Sequence, residues 1–181
     1  MLGTGQLSAA APTGDWSTTF SADADTTANA GTILVTKFLE GITHRPAELN
    51  VGTVDREHGA VWQAAPTFAA QKLRGAPALH LTVTPNSDAG TLVAYLYDTD
   101  AQGRSTLIAK AVDSYQEATP NVALPLRLTF DPVAHDLLFG PRLSLVLGTR
   151  DALFYDMNRA DGTATVSSPA GSPSELVVPL A

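Results

Sequence analysis

The segment from Gly75 to Asp113 constrains the fold more than any other part of the chain. Within residues 78–84, apolar and polar residues alternate, which places the apolar ones on one face of a pleated strand. Residues 92–97 are apolar on both faces, which is typical of a strand inside a sandwich or beneath another element. Polar turns separate the strands, and the segment holds no group of residues suited to chemistry. The sequence therefore predicts a β-sheet core.

Length, cysteine content and charge exclude several classes of protein. A chain of 181 residues suits one domain with an adequate core. The chain has no cysteine, which excludes thiol catalysis, disulfides and cysteine-ligated metals. The net charge is −7 and no cluster of Lys and Arg is present, so nucleic acid is not an expected partner. No apolar stretch approaches the roughly 18 residues of a membrane-spanning helix, so no membrane partner is expected.

The first 59 residues differ from the rest of the chain. Residues 1 to about 28 are rich in Ala, Thr, Ser and Gly, which favours a linker or irregular structure. Residues 29–43 contain Val35, Leu39 and Ile42 at the i, i+4, i+7 spacing of an amphipathic helix. We predict that residues 1–59 form a linker and a connecting helix, and that residues 60–181 form a separate β-sandwich domain.

From Ala60 onward the pattern is strand and turn without alternating helices, which favours an antiparallel sandwich over a βαβ sheet. We predict an all-β fold, an antiparallel β-sandwich with an N-terminal helical and irregular extension. Pro125 lies inside a predicted strand and indicates an edge or a bulge, because proline donates no ladder hydrogen bond. The predicted strands are Ala60–Ala64, Ala78–Thr84, Thr91–Tyr97, Ser105–Asp113, Val122–Phe130, Arg142–Thr149, Thr163–Ser167 and Glu175–Leu180.

Several segments in this order carry a resemblance to a known family: VWQAAP, LRGAPALHLTVTP, GTLVAYLYDTDAQGRSTLI, GPRLSLVLGTRDALFYD and SELVVPL. Together they resemble the C-terminal domain of X-Pro dipeptidyl-peptidase and cocaine-esterase type serine hydrolases, the peptidase S15 group. The resemblance covers Val61–Leu180. The positions that match the family's strands and hairpin are Gly75, Pro77, Tyr97, Asp98, Gly140 and Arg142.

The resemblance implies a jelly-roll, galactose-binding-like β-sandwich that follows an α/β-hydrolase catalytic domain. It implies a non-catalytic role, in which the sandwich packs on the catalytic domain, in the same chain or as a separate one, and shapes its pocket or its oligomer contacts. A homo-oligomer is a further expectation. The chain is expected to be soluble, and cytoplasmic or secreted together with its parent enzyme. The predicted helix at 29–43 would join the two domains.

The chain lacks the residues that such hydrolases need for catalysis. A nucleophile elbow requires Gly-x-Ser-x-Gly, whereas Ser172 follows Gly171 but is followed by Pro173 with no glycine after it. The four histidines are dispersed and show no pattern of a catalytic partner. We predict no catalytic residue, no cofactor and no metal site with a recognisable ligand set.

An acidic motif running from Asp98 through Asp100 to Gly103 imitates the first half of a calcium loop. The second half fails, because Ala109 stands where a bidentate Glu is needed and the flanking segments are strands. A hairpin connection uses the same residues, since Asp and Gly supply turn geometry. The hairpin interpretation is favoured, and the calcium or ligand loop remains as an alternative.

Other candidate site residues lie in loops or near strand ends. Asp156 and Asp161, with Asp151, form a second acidic group that either binds a sugar or calcium or is a solvated loop. Tyr155 within it is a candidate contact with a neighbouring domain. Trp62 and Phe68 are either sandwich core or part of an apolar interface with the hydrolase.

Three functions are consistent with the sequence. The first is the non-catalytic domain of a serine hydrolase of the X-Pro peptidase or acyl esterase type. The second is a carbohydrate-binding-like module, which needs exposed aromatic rings for sugars to stack on; Tyr95 and Tyr97 share a strand face and are the candidates. The third is a structural or interaction domain whose family resemblance is incidental.

Overall fold

A computed structural model describes residues 1–10, 14–22, 48–151 and 157–181. The predicted helix at 29–43 lies outside these residues, as do Tyr155 and Asp156. In the described residues, one 3-10 turn is present, at Val51–Thr53, and no helix is long and apolar enough to span a membrane. The strands are β1 (Gln6–Leu7), β2 (Trp16–Ser21), β3 (Glu48–Asn50), β4 (Ala60–Ala64), β5 (Gln71–Gly75), β6 (Ala78–Pro85), β7 (Gly90–Thr99), β8 (Arg104–Tyr115), β9 (Leu124–Thr129), β10 (Val133–Leu137), β11 (Arg142–Gly148), β12 (Thr163–Ser168) and β13 (Glu175–Val177).

The strands form two large sheets and a ribbon. The first sheet has six strands in the order β1-β4-β11-β7-β8-β3, and the second has five, in the order β13-β6-β12-β2 with β9 beside β6. The ribbon consists of β10 and β5. Pairing is antiparallel except between β1 and β4. The predicted all-β fold is confirmed, and the jelly-roll connectivity stays a prediction.

Strand β7 is buried on both faces, as its continuous apolar sequence predicts. One face contributes Leu92, Ala94 and Leu96 to the main core between the two large sheets. The opposite face contributes Tyr95 and Tyr97, with Val93, to a second core. Residues of Val51–Thr53 and the loop after it pack against this second core. The first sheet is therefore covered on both sides.

Alternation along β6 and β9 is also as predicted. In β6 the apolar residues at 79, 81 and 83 are buried, and the polar residues between them are partly exposed. In β9 the leucines point inward and Pro125 is exposed. Within the described part of the chain, β9 pairs with β6 and with no other strand. The expectation that Pro125 marks an edge strand is confirmed.

The expectation of a linker over residues 1 to about 28 is wrong for the described residues. Strand β2 pairs with β12 along its whole length, and Phe20 within it is 2% exposed. Trp16, Thr18 and Phe20 alternate with exposed residues, as one face of a strand requires. The many Ser and Thr residues reflect an exposed outer face, not the absence of structure. A domain boundary at residue 60 stays a prediction.

The ribbon strands β5 and β10 were not predicted from the sequence. In β5, Leu73 alone is buried among exposed neighbours, so no alternation is visible in the sequence. In β10, partly buried and exposed residues alternate and lead to the buried Leu137, but His135 stands on the inward face, so hydropathy does not show the pattern. The two strands stabilise each other by pairing in register from Val133–Gly75 to Leu137–Gln71.

Candidate functional site

The most prominent feature of the described surface is a group of apolar side chains at one end of the ribbon. Phe68 is 82% exposed, Phe139 is 72% exposed and Leu138 is 63% exposed. Phe68 lies just before β5, and the other two follow β10 directly. We call these three residues the ribbon-end surface. Large exposed apolar groups that adjoin each other typically mark an interaction site.

Hydrogen bonds to Thr67 hold the two loops of the ribbon-end surface together. The Thr67 amide donates to the carbonyl of Pro141 at 2.8 Å, and its hydroxyl donates to the carbonyl of Leu138 at 2.6 Å. In return, the Gly140 amide donates to the Thr67 carbonyl at 3.0 Å. Gly140 has a φ of +106°, which favours glycine at this turn. The apolar side chains are therefore presented on a fixed backbone.

The chain's C-terminal residues extend this end of the ribbon. The Ala181 amide donates to the carbonyl of Lys72 at 2.9 Å, and Leu180 pairs with Leu73 as an isolated bridge. The side chain of Leu180 is 50% exposed. The half-exposed Leu180 side chain thus lies beside β5.

An ion pair holds the ribbon together, and a hydrogen bond joins it to the first sheet. Arg74 of β5 pairs with Asp136 of β10, and its guanidinium also donates to the carbonyl of His135 at 2.9 Å. The His135 ring Nε2 lies 2.8 Å from a carboxylate oxygen of Asp98 in β7. Asp98 therefore has a partner in the ribbon and does not lie with Asp100 in a cation-binding loop.

We expect Arg74→Gln to raise the midpoint at which the Asp136 carboxyl titrates. The hydrogen bond from Arg74 holds the pKa of Asp136 below its ordinary 3.8 in the folded protein. Because the folded-state pKa is depressed, the pair stabilises the ribbon above pH 3.8 and loses this effect as the pH falls further. A carboxyl carbon NMR titration measures the midpoint. Arg104→Gln is the control, and an equal shift in that variant would contradict the assignment.

The motif from Asp98 to Gly103 forms the hairpin between β7 and β8. One Asp100 carboxylate oxygen accepts hydrogen bonds from the amides of Gln102 and Arg104, both at 2.9 Å, and the other lies 3.0 Å from the Arg104 side chain. Partial desolvation raises the pKa of Asp100, but these hydrogen bonds outweigh it, and the pKa is lowered. The Asp100 carboxylate thus stabilises the turn between β7 and β8, as the hairpin interpretation predicts.

The second acidic group has two different environments in the described residues. Asp151 is 2% exposed, and its carboxylate accepts a hydrogen bond from the Tyr95 hydroxyl at 2.9 Å and lies 3.8 Å from the Lys110 ammonium. Asp161 is exposed, and its backbone carbonyl accepts a hydrogen bond from the Asn86 amide group. In residues 1–10, 14–22, 48–151 and 157–181, no three His, Asp or Glu side chains come close enough to hold a metal.

Tyr95 and Tyr97 do share a face and stack at 6.2 Å, but they are 1% and 0% exposed. Burial first, and then the charge of Asp151, raises the pKa of Tyr97 well above its usual range. Neither ring is available to a sugar, so the feature that would support a carbohydrate-binding module is missing from this strand.

Of the residues predicted to contact a neighbouring domain, Phe68 is highly exposed and Trp62 is core. Trp62 is 1% exposed and packs against Trp16, with ring centroids 5.7 Å apart. The sequence reasoning did not select Leu138 and Phe139. In the sequence these two residues form an apolar pair directly before the turn residues Gly140 and Pro141, a pattern that indicates large apolar side chains in a loop.

Comparison with protein families identifies the chain. The profile of the X-Pro dipeptidyl-peptidase C-terminal non-catalytic domain matches residues 2–173. The chain belongs to this family. The resemblance stated from the sequence is thereby confirmed. The match also includes β1 and β2, in the region predicted to be a linker.

Solved structures with the same fold include larger hydrolases. An α-amino acid ester hydrolase matches with a TM-score of 0.70 and 16% identity over 93% of this chain and 33% of its own. An aminopeptidase from a marine sediment Thaumarchaeota archaeon matches with a TM-score of 0.67 and 13% identity over 95% of this chain and 34% of its own. A CocE/NonD family hydrolase from Staphylococcus aureus has a TM-score of 0.60 and 14% identity over 93% of this chain and 37% of its own. The chain thus spans about a third of the length of each of these proteins. Comparison with curated protein sequences gives no match.

Proposed function

We propose that this domain packs on an α/β-hydrolase catalytic domain through the ribbon-end surface and shapes the pocket of that enzyme. The observation that carries the proposal is the exposure of Phe68, Leu138 and Phe139 on loops that Thr67 fixes together. The catalytic domain would supply the nucleophile and its base. The hydrolysed bond would be an X-Pro peptide bond or an ester.

The energetics favour burial of the ribbon-end surface against a partner. Full burial of a Phe or Leu side chain stabilises by about 1.5–3 kcal/mol. Because the loops are already tethered by hydrogen bonds, docking costs little additional backbone order. Large aromatic groups on a fixed backbone are typical of residues that dominate binding free energy.

Hydrogen exchange in the intact parent hydrolase, compared with the 181-residue chain, tests the location of the contact. We expect the amides of residues 67–70 and 138–140 to exchange more slowly in the intact enzyme. Equal exchange at these amides in both proteins would contradict the proposed surface. The 181-residue chain alone is expected to show no turnover of an ester or an X-Pro nitroanilide.

We also expect the double variant Phe68→Ser, Phe139→Ser to weaken the contact between the two domains in the intact hydrolase. The variant removes two aromatic groups that the contact would bury, so the thermal midpoint and kcat/KM of the intact hydrolase should fall. The same double variant of the chain alone should unfold at the wild-type denaturant concentration. Val122→Ser is the matched control, because Val122 is also exposed, at 52%, but lies before β9. An equal effect of the control would refute the assignment of the interface.

A further inference from the structure

A small groove lies where the edges of the two large sheets meet. The N-terminal turn at Gly5, strand β2 and strand β4 enclose it, and Arg56 closes one side. Its volume is about 230 Å³. We call it the seam groove. It is distinct from the ribbon-end surface and does not depend on the function proposed above.

One wall of the seam groove is aromatic and fixed in place. Trp16 is partly exposed and lies against the buried Trp62 at an interplanar angle of 55°. The indole nitrogen of Trp16 donates to the carbonyl of Leu2, which sets the orientation of the ring. The groove therefore offers a rigid apolar surface on which another ring can pack.

Arg56 brings a positive charge to this wall of the groove. No hydrogen bond or ion pair joins its side chain to another residue in the described ranges, although Asp55 and Glu57 adjoin it. The Asp55 carboxylate instead accepts from the Glu57 amide at 2.9 Å and lies 3.9 Å from His58. The Arg56 side chain is exposed, so its guanidinium is open to a ligand in the groove. An exposed guanidinium beside an aromatic wall can pair with the carboxylate of a ligand whose ring packs on that wall.

Size and charge limit what the groove accepts. An apolar cavity of about 150 Å³ holds benzene, so about 230 Å³ suits one ring with a small substituent. A guanidinium matches the two oxygens of a carboxylate. Asp55 and Glu57 flank Arg56 in the sequence but do not line the groove. We propose that the seam groove binds a small organic monocarboxylate built on a single apolar ring, with the ring against Trp16 and the carboxylate on Arg56.

Tryptophan fluorescence of the 181-residue chain tests this site directly, because the chain has two tryptophans and both line the groove. We expect phenylacetate to change the emission saturably, with a Kd in the millimolar range. The uncharged isostere phenylacetamide should bind about tenfold more weakly, because it cannot pair with the guanidinium.

The variant Arg56→Gln should weaken phenylacetate binding by about tenfold and leave phenylacetamide binding unchanged. Arg127→Gln is the matched control, since Arg127 is exposed on β9 and outside this groove. Urea denaturation of each variant checks that it is folded. Equal affinity for acid and amide, or equal affinity of wild type and Arg56→Gln for phenylacetate, would overturn the proposal, as would the absence of a saturable change.

Discussion

We expect Trp62→Ala to lower the free energy of unfolding by about 3–5 kcal/mol, the range for removal of a large buried aromatic side chain. Trp62 is 1% exposed and lies in β4, between β1 and β11, where its ring packs against Trp16. The substitution leaves a cavity at the seam between the sheets and frees Trp16. Urea denaturation followed by far-UV circular dichroism measures the loss.

Phe68→Ala is the control for this variant. Phe68 is 82% exposed, so its removal from the chain alone should change stability by no more than about 0.5 kcal/mol. A loss below about 1 kcal/mol for Trp62→Ala would mean that the ring does not support the core. Such a result would also mean that Trp62 does not hold Trp16 rigidly in the wall of the seam groove.

The second large effect is expected for Asp151→Ala, with a loss of about 3 kcal/mol, because removing one member of a buried charged pair is costly. The Asp151 side chain is 1% exposed and the Lys110 side chain is 16% exposed. The variant removes the carboxylate that both the Lys110 ammonium and the Tyr95 hydroxyl contact. Thermal and urea denaturation at neutral pH measure the change.

An exposed ion pair provides the comparison. Arg159 and Asp88 approach to 2.7 Å, but their side chains are 62% and 53% exposed. Solvent screens such pairs, so Asp88→Ala should cost less than about 1 kcal/mol. If the two Asp variants lose the same stability, burial does not control the strength of the Asp151 contacts.

The sequence predicted the strands that alternate or are continuously apolar. The bounds of Ala60–Ala64 agree, and β6, β7 and β8 differ from prediction by one to two residues at their ends. The composition of strand β2 hides it, because Ser and Thr fill its outer face and Trp16 and Phe20 are its two large inward side chains. The ribbon strands β5 and β10 carry few apolar residues on their inward faces, so hydropathy does not reveal them and their pairing with each other defines them.

Candidate site residues were harder to predict than strands, because their roles depend on partners distant in the sequence. Asp98 is bonded to His135, a contact between β7 and β10 that spacing does not reveal. Phe68 was predicted as a contact residue, but Leu138 and Phe139 lie about seventy positions later in the sequence. The hydrogen bond from the Thr67 hydroxyl to the Leu138 carbonyl joins the two loops. In the sequence nothing distinguishes Arg56 from other loop residues. The fold places it in the same groove as Trp16 and Trp62.

The edge strand β9 has a consequence for how copies of this domain behave at high concentration. Exposed phenylalanine side chains favour self-association, and an unpaired edge strand would allow the associated copies to extend into larger sheets. Pro125 supplies no amide hydrogen to an incoming strand, and the exposed Arg127 places a charge two positions further on. Exposed apolar side chains can therefore coexist with a β9 edge that resists the addition of further strands.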